Sequence, residues 1–324
     1  MRCQRCGERP GRYRRPYAGD AVCGRCLVEL VRDRVFREVR RWRWFRPDQT
    51  VVVAVSGGKD SAVALRLVLE YLDPLPGVEV IALTVDEGIS GFRDRCLREA
   101  ERLVERLDVR WEVVSFEEEY GFRLEEVVEE TEHPACTVCG VLRRRLLNAR
   151  ARELGADVVV TGHNLDDEAQ AVLMNFVKAD LAQLSKLHPR VRPESEAVVP
   201  RVKPLRRVPE REVRWVADEL GLPYHPDPCP FASSSVRSFF RRLLDEMEER
   251  LPSVKFGIVQ ALDRAGPVLA EEFLKGEVQR CERCGEPASD RLCKACQILE
   301  ELRQSSSRLR DRASSSARTS SEER

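Results

Sequence analysis

The sequence predicts an α/β fold: a doubly wound parallel sheet flanked by amino-terminal and carboxy-terminal zinc ribbons. Three observations predict it. Short β-branched runs, the first being Thr50–Val55, alternate with helical stretches, the pattern of a parallel sheet covered on both faces. A glycine pair, Gly57-Gly58, falls between that first strand and a helix pattern. Eight of the twelve cysteines form two Cys-x-x-Cys pairs at each end of the chain.

Composition narrows the class. The chain has 324 residues, 42% of them hydrophobic, enough for about two domains with sizeable cores. Charged residues make up 34% with a formal net charge of +0, so a nucleic-acid surface has to come from local arginine clusters. No apolar run approaches the roughly 18 residues of a membrane span. Met1 to Cys6 lacks an apolar signal core. The expected setting is cytoplasmic, with no membrane partner. Cytosolic thiols stay reduced, so the cysteines read as metal ligands or catalysts.

In chain order, residues 1–30 form the first ribbon. Residues 31–49 read as a linker helix within an Arg-rich helical stretch over 27–46, stopped by Pro47-Asp48. Residues 50–180 carry the parallel sheet, with strands at 50–55, 78–86, 109–116 and 157–161. Helices are expected at 62–71, 91–107, 142–154 and 166–176. Residues 181–276 read as a mostly helical extension, with one or two short strands in a Pro-rich loop near 182–209. Its helices are expected at 210–220, 236–249 and 255–275. Residues 277–300 form the second ribbon, and 301–324 read as a disordered Ser/Arg tail.

The loop Ser56-Gly57-Gly58-Lys59-Asp60-Ser61 is the strongest chemical signal. Two glycines let the backbone approach a ligand, and the helix behind them offers free amides and a positive dipole end to phosphate. Lys59 adds a cation, with Ser56 and Ser61 as hydroxyl donors. The spacing is not that of a Walker A loop. It resembles the PP-loop of the ATP pyrophosphatases, which implies attack on the α-phosphate of ATP, carried with Mg2+, and loss of pyrophosphate. The rest of a nucleotide site comes from the ends of neighbouring strands. Candidates are Ala54 and Val55 near adenine, Asp86 after the second strand, and Gly162, His163 and Asp167 after the fourth. His163 reads equally as a packed loop residue. Asp166 and Asp167 open a helix, where one can cap while the other, Asp167, faces the site. Whether Asp167 binds magnesium or moves a proton stays open.

The cysteines divide by spacing. Cys3, Cys6, Cys23 and Cys26, and likewise Cys281, Cys284, Cys293 and Cys296, have closed structural zinc spacing. Cys96 reads as a structural thiol in a charged helix. Cys136, Cys139 and the distant Cys229 remain. Three thiolates can hold a [4Fe–4S] cluster with one iron open, a position suited to sulfide and Lewis acidity. A persulfide–disulfide pair without a cluster, or a structural zinc, are the alternatives. Prolines beside Cys229 and before Cys136 are expected to stiffen the loops that present these ligands.

Together these motifs give a family resemblance that covers Met1 to about Cys296. The chain resembles the tRNA 2-thiouridine synthetases of the TtuA and cytosolic thiouridylase type, within the PP-loop ATP pyrophosphatase superfamily and TtcA-like. The resemblance implies a cluster on Cys136, Cys139 and Cys229 beside the ATP, catalytic roles for Asp167 and Lys59, and a nucleotide contact at Arg143. It implies tRNA as partner, a ubiquitin-like thiocarboxylate carrier or free sulfide as donor, and a homodimer. The reaction is then adenylation of a uridine O2 followed by replacement with sulfur, at position 34 or 54. A PP-loop amide ligase is the rival enzyme class, one with no use for the three cysteines. RNA contacts are expected from Arg40–Arg46 with Trp42, Trp44 and Phe45, and then from Arg201–Arg214 and Arg237–Arg242. The first segment is the preferred one, for its interleaved rings.

Overall fold

A computed structural model describes residues 1–189, 197–232, 236–274 and 279–304. The amino-terminal ribbon carries β1 (Tyr13–Arg15) and β2 (Asp20–Val22), paired antiparallel, and leads into α1 (Gly24–Trp42). The central unit follows with β3 (Thr50–Ala54), α2 (Lys59–Leu72), β4 (Glu79–Asp86), α3 (Arg93–Leu107) and β5 (Arg110–Ser115). Next come α4 (Phe116–Tyr120), α5 (Leu124–Val127), α6 (Ala135–Glu153), β6 (Val158–Val160), α7 (Leu165–Val177) and α8 (Leu181–Lys186). The chain continues through β7 (Arg201–Val202), α9 (Glu210–Glu219), α10 (Val236–Arg250) and α11 (Val254–Phe273). The second ribbon has β8 (Gln279–Arg280) and β9 (Pro287–Ala288), followed by α12 over 294–304. Of the tail at 301–324, only 301–304 fall among the described residues, as the end of α12.

The main sheet runs β5-β4-β3-β6-β7, with every pairing parallel. Strand order reverses between β3 and β6, and the crevice at their carboxyl ends is where such sheets bind ligands. β3 shows why its sequence is an unbroken apolar run. Val51 and Val53 enter the core beneath α1, α2 and α9, while Val52 enters the opposite core beneath α6. All three are 0% exposed, each burial contributing about 1.5–3 kcal/mol.

Three boundaries differ from the sequence expectation. β7 is a short strand within the 182–209 loop, as expected, but it pairs with β6 as the fifth strand, so the sheet extends past the expected boundary at residue 180. α1 is no linker: Leu27, Val31, Val35 and Val39 recur on one face and are at most 1% exposed against the main core. α6 begins at Ala135, seven residues before its expected start, because Pro134 occupies the N-cap and its carbonyl accepts from Thr137 N at 2.7 Å. Cys136 and Cys139 therefore sit on the first two turns of a helix rather than on a stiffened loop. Among the described residues, no helix is long and apolar enough to cross a membrane.

Candidate functional site

The loop between β3 and α2 closes on itself. Ser61 Oγ accepts from Ser56 N at 3.1 Å, lies 3.2 Å from Ser56 Oγ and donates to Gly58 O at 2.9 Å. Gly57 has φ +80°, and a Cβ there would stand 2.1 Å from the Cys96 carbonyl oxygen. Gly162, at the end of β6, abuts the same loop: a Cβ would lie 2.8 Å from Asp60 C and Ser61 N. Glycine is therefore a steric necessity at both positions. Gly57→Ala is expected to cost about 1–3 kcal/mol in loop geometry, and so to weaken binding of a non-hydrolysable ATP analogue roughly tenfold or more. Titration of that analogue checks it.

Lys59 Nζ lies 2.9 Å from Asp60 Oδ2 and 2.8 Å from Glu210 Oε1. Burial works against the Lys59 charge, but Asp60 and Glu210 outweigh it and raise its pKa, so the ammonium is held. Asn164 Nδ2 donates to the other Asp60 oxygen at 3.0 Å. Val55 is buried and its carbonyl accepts from Thr84 Oγ1, while Ala54 is partly open. Asp86 accepts from Gly88 N at 2.9 Å and so shapes the turn after β4. His163 is solvent-accessible, with Nδ1 2.8 Å from Thr161 Oγ1.

The helix cap is Asn164, neither aspartate: its Oδ1 accepts from Asp166 N and Asp167 N. Asp166 faces away from the loop, accepting from Glu210 N at 2.7 Å and from Lys255 Nζ. Asp167 accepts from Asn164 N at 3.2 Å and faces Arg241 at 3.5 Å. Burial pushes its carboxyl up to about 6; the Asn164 amide and Arg241 oppose the rise, while Asp60 and Glu210 add to it. A carboxyl raised above its unfolded value near 3.9 favours the native state only while protonated. That contribution is lost as pH climbs through about 6. Asp167→Asn keeps the shape without the ionisation. Its gain in Tm over the parent is expected to be larger at pH 8 than at pH 4, while ATP-dependent activity disappears. Paired melting curves at the two pH values check the sign.

The three remaining cysteines converge next to this loop. Cys136 and Cys139 share one face of α6. Cys229 lies in a turn closed by Ala232 N donating to Cys229 O at 3.0 Å, and Cys136 Sγ approaches Phe231 O of that turn at 3.1 Å. Burial pushes the Cys139 thiol up to about 12, with Arg143 partly opposing, and raises Cys229 too. A thiol held protonated is a poor nucleophile by itself, and it yields its proton to a metal. Cys136 is exposed and Cys139 and Cys229 are half-buried, whereas three of the four cysteines in each ribbon are buried. Among the described residues, only the two four-cysteine groups gather their ligand atoms within 4.8 Å. In the ribbons Cys6 and Cys23 sulfurs are 3.9 Å apart, and those of Cys284 and Cys293 3.6 Å. Four thiolates about 2.3 Å from one zinc have sulfurs roughly 3.8 Å apart, so the ribbons fit a single tetrahedral ion.

Two residues that the sequence reading missed join the halves. Glu87 is buried; its Oε1 accepts from Arg143 Nη1 at 3.1 Å, and its Oε2 stands 2.8 Å from Arg93 Nε. Arg93 donates to Ser56 O at 3.0 Å and to Val85 O at 2.7 Å. Glu87 follows Asp86 at the carboxyl end of a strand, which was the one available signal. Glu210 and Arg241, bridged at 2.7 Å, had none. Arg40–Arg46 lies at the other end of the sheet: Arg46 pairs with Asp157, just before β6, and Asp157 also accepts from the amide of Thr50, which opens β3. Its rings are engaged too. Trp42 donates to Glu38 at 2.9 Å and packs edge-on to His188, Phe45 meets Tyr71, and Trp44 packs against the core. The preferred RNA segment is thus remote from the glycine loop, because helix order and not charge density decides which edge a segment meets.

Sheet, switch point and glycine loop define a nucleotide-binding α/β protein, and a PP-loop domain model matches residues 30–247. The chain is 37% identical over 320 residues to "tRNA 2-thiolation protein NcsA" of Haloferax volcanii, covering 93% of this chain and 99% of that one. It is 36% identical to "Cytoplasmic tRNA 2-thiolation protein 1" of Bos taurus, covering 95% and 89%. A solved structure, "U34-tRNA thiolase NcsA from Methanococcus maripaludis with its [4Fe-4S] cluster", superposes with a TM-score of 0.80 at 34% identity, covering 93% and 96%. The chain belongs to the PP-loop family of tRNA 2-thiolation proteins.

Proposed function

We propose that this protein is a cytoplasmic ATP-dependent tRNA uridine 2-sulfurtransferase acting on uridine 34. One observation carries the reading: the glycine loop and the cysteine trio are joined by Arg143, Glu87 and Arg93, through contacts of 3.1, 2.8 and 3.0 Å. An amide ligase needs only the loop. Position 34 rests on the similarity to the archaeal thiolase named above.

ATP enters with its Mg2+, its phosphates against the amides of Gly57 to Ser61 and beside Lys59. Adenylation at the uridine O2 turns a poor leaving group into AMP, which departs as C2 accepts sulfur. Lys59 and the helix amides stabilise charge on the departing pyrophosphate. Asp167 is the carboxylate that faces the reacting groups.

The donor set fits a [4Fe–4S] cluster: two cysteines on one helix face, a third turned toward them, and the Arg143 charge beside them to offset thiolate charge. Cys136, Cys139 and Cys229 would hold it. When bound, such a cluster leaves one iron without a protein ligand, a Lewis-acidic position for sulfur. The two ribbons hold structural Zn2+. Sulfur arrives as sulfide or from a carrier thiocarboxylate.

The experiment is anaerobic purification, iron and zinc analysis, and assay with sulfide, ATP and tRNA transcripts carrying U34 or C34. Expected are iron, two zincs, and 2-thiouridine only in the U34 transcript with AMP and pyrophosphate released. Equal thiolation by iron-free protein would overturn the cluster and leave sulfide itself to attack the adenylated C2, with AMP departing.

A further inference from the structure

Cys229 stands near the end of a proline-rich stretch, Pro223-Tyr224-His225-Pro226-Asp227-Pro228-Cys229-Pro230. The start of this stretch is anchored on α9: Leu222, just before it, is buried, and Tyr224 Oη donates to Asp218 at 2.7 Å. Its middle is anchored on the glycine loop, where His225 N donates to Gly57 O at 2.8 Å. The His225 ring packs edge-on to Phe92 with centroids 5.6 Å apart, and its Nε2 stands 3.6 Å from Asp227 Oδ2. Phe92 is the N-cap residue of α3, the helix whose Arg93 donates to Ser56 O and whose Cys96 carbonyl limits the space at Gly57. Amide and ring alike therefore hold His225 against the loop. The far end of the stretch is the turn that meets Cys136.

The chain between His225 and Cys229 is stiff. Pro226 and Pro228 have φ held near −65°, and a residue that precedes proline is pushed to extended backbone. His225, Asp227 and Cys229 each precede a proline. The stretch takes no helix or strand, and both prolines are exposed, so it is the prolines rather than packing that set its course. Four such residues carry a displacement over roughly 12 Å. The peptide at the loop end has two sides. It is the Gly57–Gly58 unit, and in a trans peptide the N–H points away from the C=O. Its carbonyl holds His225, while its amide, Gly58 N, is turned to the other side, 3.4 Å from Ser56 Oγ. An anion on that amide fixes the plane from which the carbonyl projects.

Resting on the sulfurtransferase reading, we propose that His225–Cys229 is a strut through which a nucleotide on the glycine loop positions the Cys229 sulfur, with His225 as the positioning residue. A phosphate that takes the Gly58 amide fixes the Gly57–Gly58 peptide. The carbonyl of that peptide fixes His225, and the two prolines pass the constraint on to Cys229. Cys136 and Cys139 are placed relative to each other by α6, whereas Cys229 has to be brought to them. The route through Arg93 and Glu87 ends on Arg143 of that same helix. The strut ends on the cysteine outside it. The donor set is then completed when the activating nucleotide is in place.

The test follows alkylation by iodoacetamide in iron-free, zinc-loaded full-length protein, with and without a saturating non-hydrolysable ATP analogue. Peptide masses report each cysteine separately. In the parent the analogue is expected to slow alkylation of Cys229 about threefold or more and to leave Cys136 within about twofold. The variant P226G/P228G alters neither His225, Gly57 nor Cys229. It is expected to bind the analogue still, while the effect on Cys229 shrinks to less than about 1.5-fold. P226A/P228A, with less backbone freedom than glycine, is expected to fall between the two. A merely structural role for the prolines would lower the melting temperature and leave the effect of the analogue as it is. An analogue that does not slow Cys229 in the parent overturns the proposal. So does equal slowing in the parent and the glycine variant, which would mean direct shielding or a route through Glu87. Protein that shows the coupling but neither loads iron nor thiolates tRNA sinks the sulfurtransferase reading and leaves the strut, so the two failures are distinct.

Discussion

Cys229→Ala is expected to abolish thiolation while leaving the zinc content and ATP-analogue affinity of the protein unchanged. Cys229 belongs to the turn that meets Cys136, and its thiol is influenced by Cys136, Glu87 and Arg143. The glycine loop reaches these residues through Glu87 and Arg93, and through His225 N donating to Gly57 O at 2.8 Å, none of which the substitution removes. A cysteine-to-alanine change at a half-buried turn removes one sulfur and little packing, so the nucleotide half keeps its form. The matched control is Cys96→Ala. Cys96 is buried in α3, and its backbone carbonyl, not its thiol, sets the steric limit at Gly57. That variant is expected to keep thiolation. Iron content, 2-thiouridine and analogue binding measured on both proteins separate the cases. Iron retained at parent level in Cys229→Ala, with normal thiolation, would remove Cys229 from the site.

What sequence made legible follows chain locality. The glycine loop, the ribbons and the Cys136–Cys139 pair are each contained within a few residues, so spacing alone exposes their chemistry. β3 declared itself because both its faces are buried and the run is apolar throughout. Residues whose importance comes from long-range pairing left no such trace. Glu210 meets Lys59 across 151 positions, and Arg143 meets Glu87 across 56. Charge density misled for the same reason: Arg40–Arg46 is the most concentrated basic stretch with aromatic rings, but α1 carries it to the amino-terminal edge of the sheet.

The same long-range pairing makes the largest stability effect fall far from the cysteines. Asp263→Ala is expected to cost about 3–5 kcal/mol. Asp263 of α11 takes both guanidinium nitrogens of Arg206, at 2.7 and 3.1 Å, and also meets Arg207. Arg206 is 1% exposed, and it stands 3.5 Å from Glu38 of α1 and 3.6 Å from Glu168 of α7. One guanidinium thus ties three helices, and removing its bidentate partner leaves a buried charge underpaired. A double change of Asp263 and Arg206 to apolar residues, which can rescue an isolated buried pair, is not expected to do so here. It would take the buried guanidinium from Glu168 and Glu38, leaving Glu168 to Lys203, and Glu38 to Trp42, Arg41 and Arg207. Burial opposes ionisation of Asp263, yet the two arginines hold its carboxyl below the usual carboxylate range. Its contribution is therefore present above pH ~4 and is lost as pH falls through the lowered native value. Denaturation midpoints of parent and Asp263→Ala should differ most near neutral pH and converge toward pH 3. A gap that persists at acid pH would mean that packing, not charge, holds α11 in place.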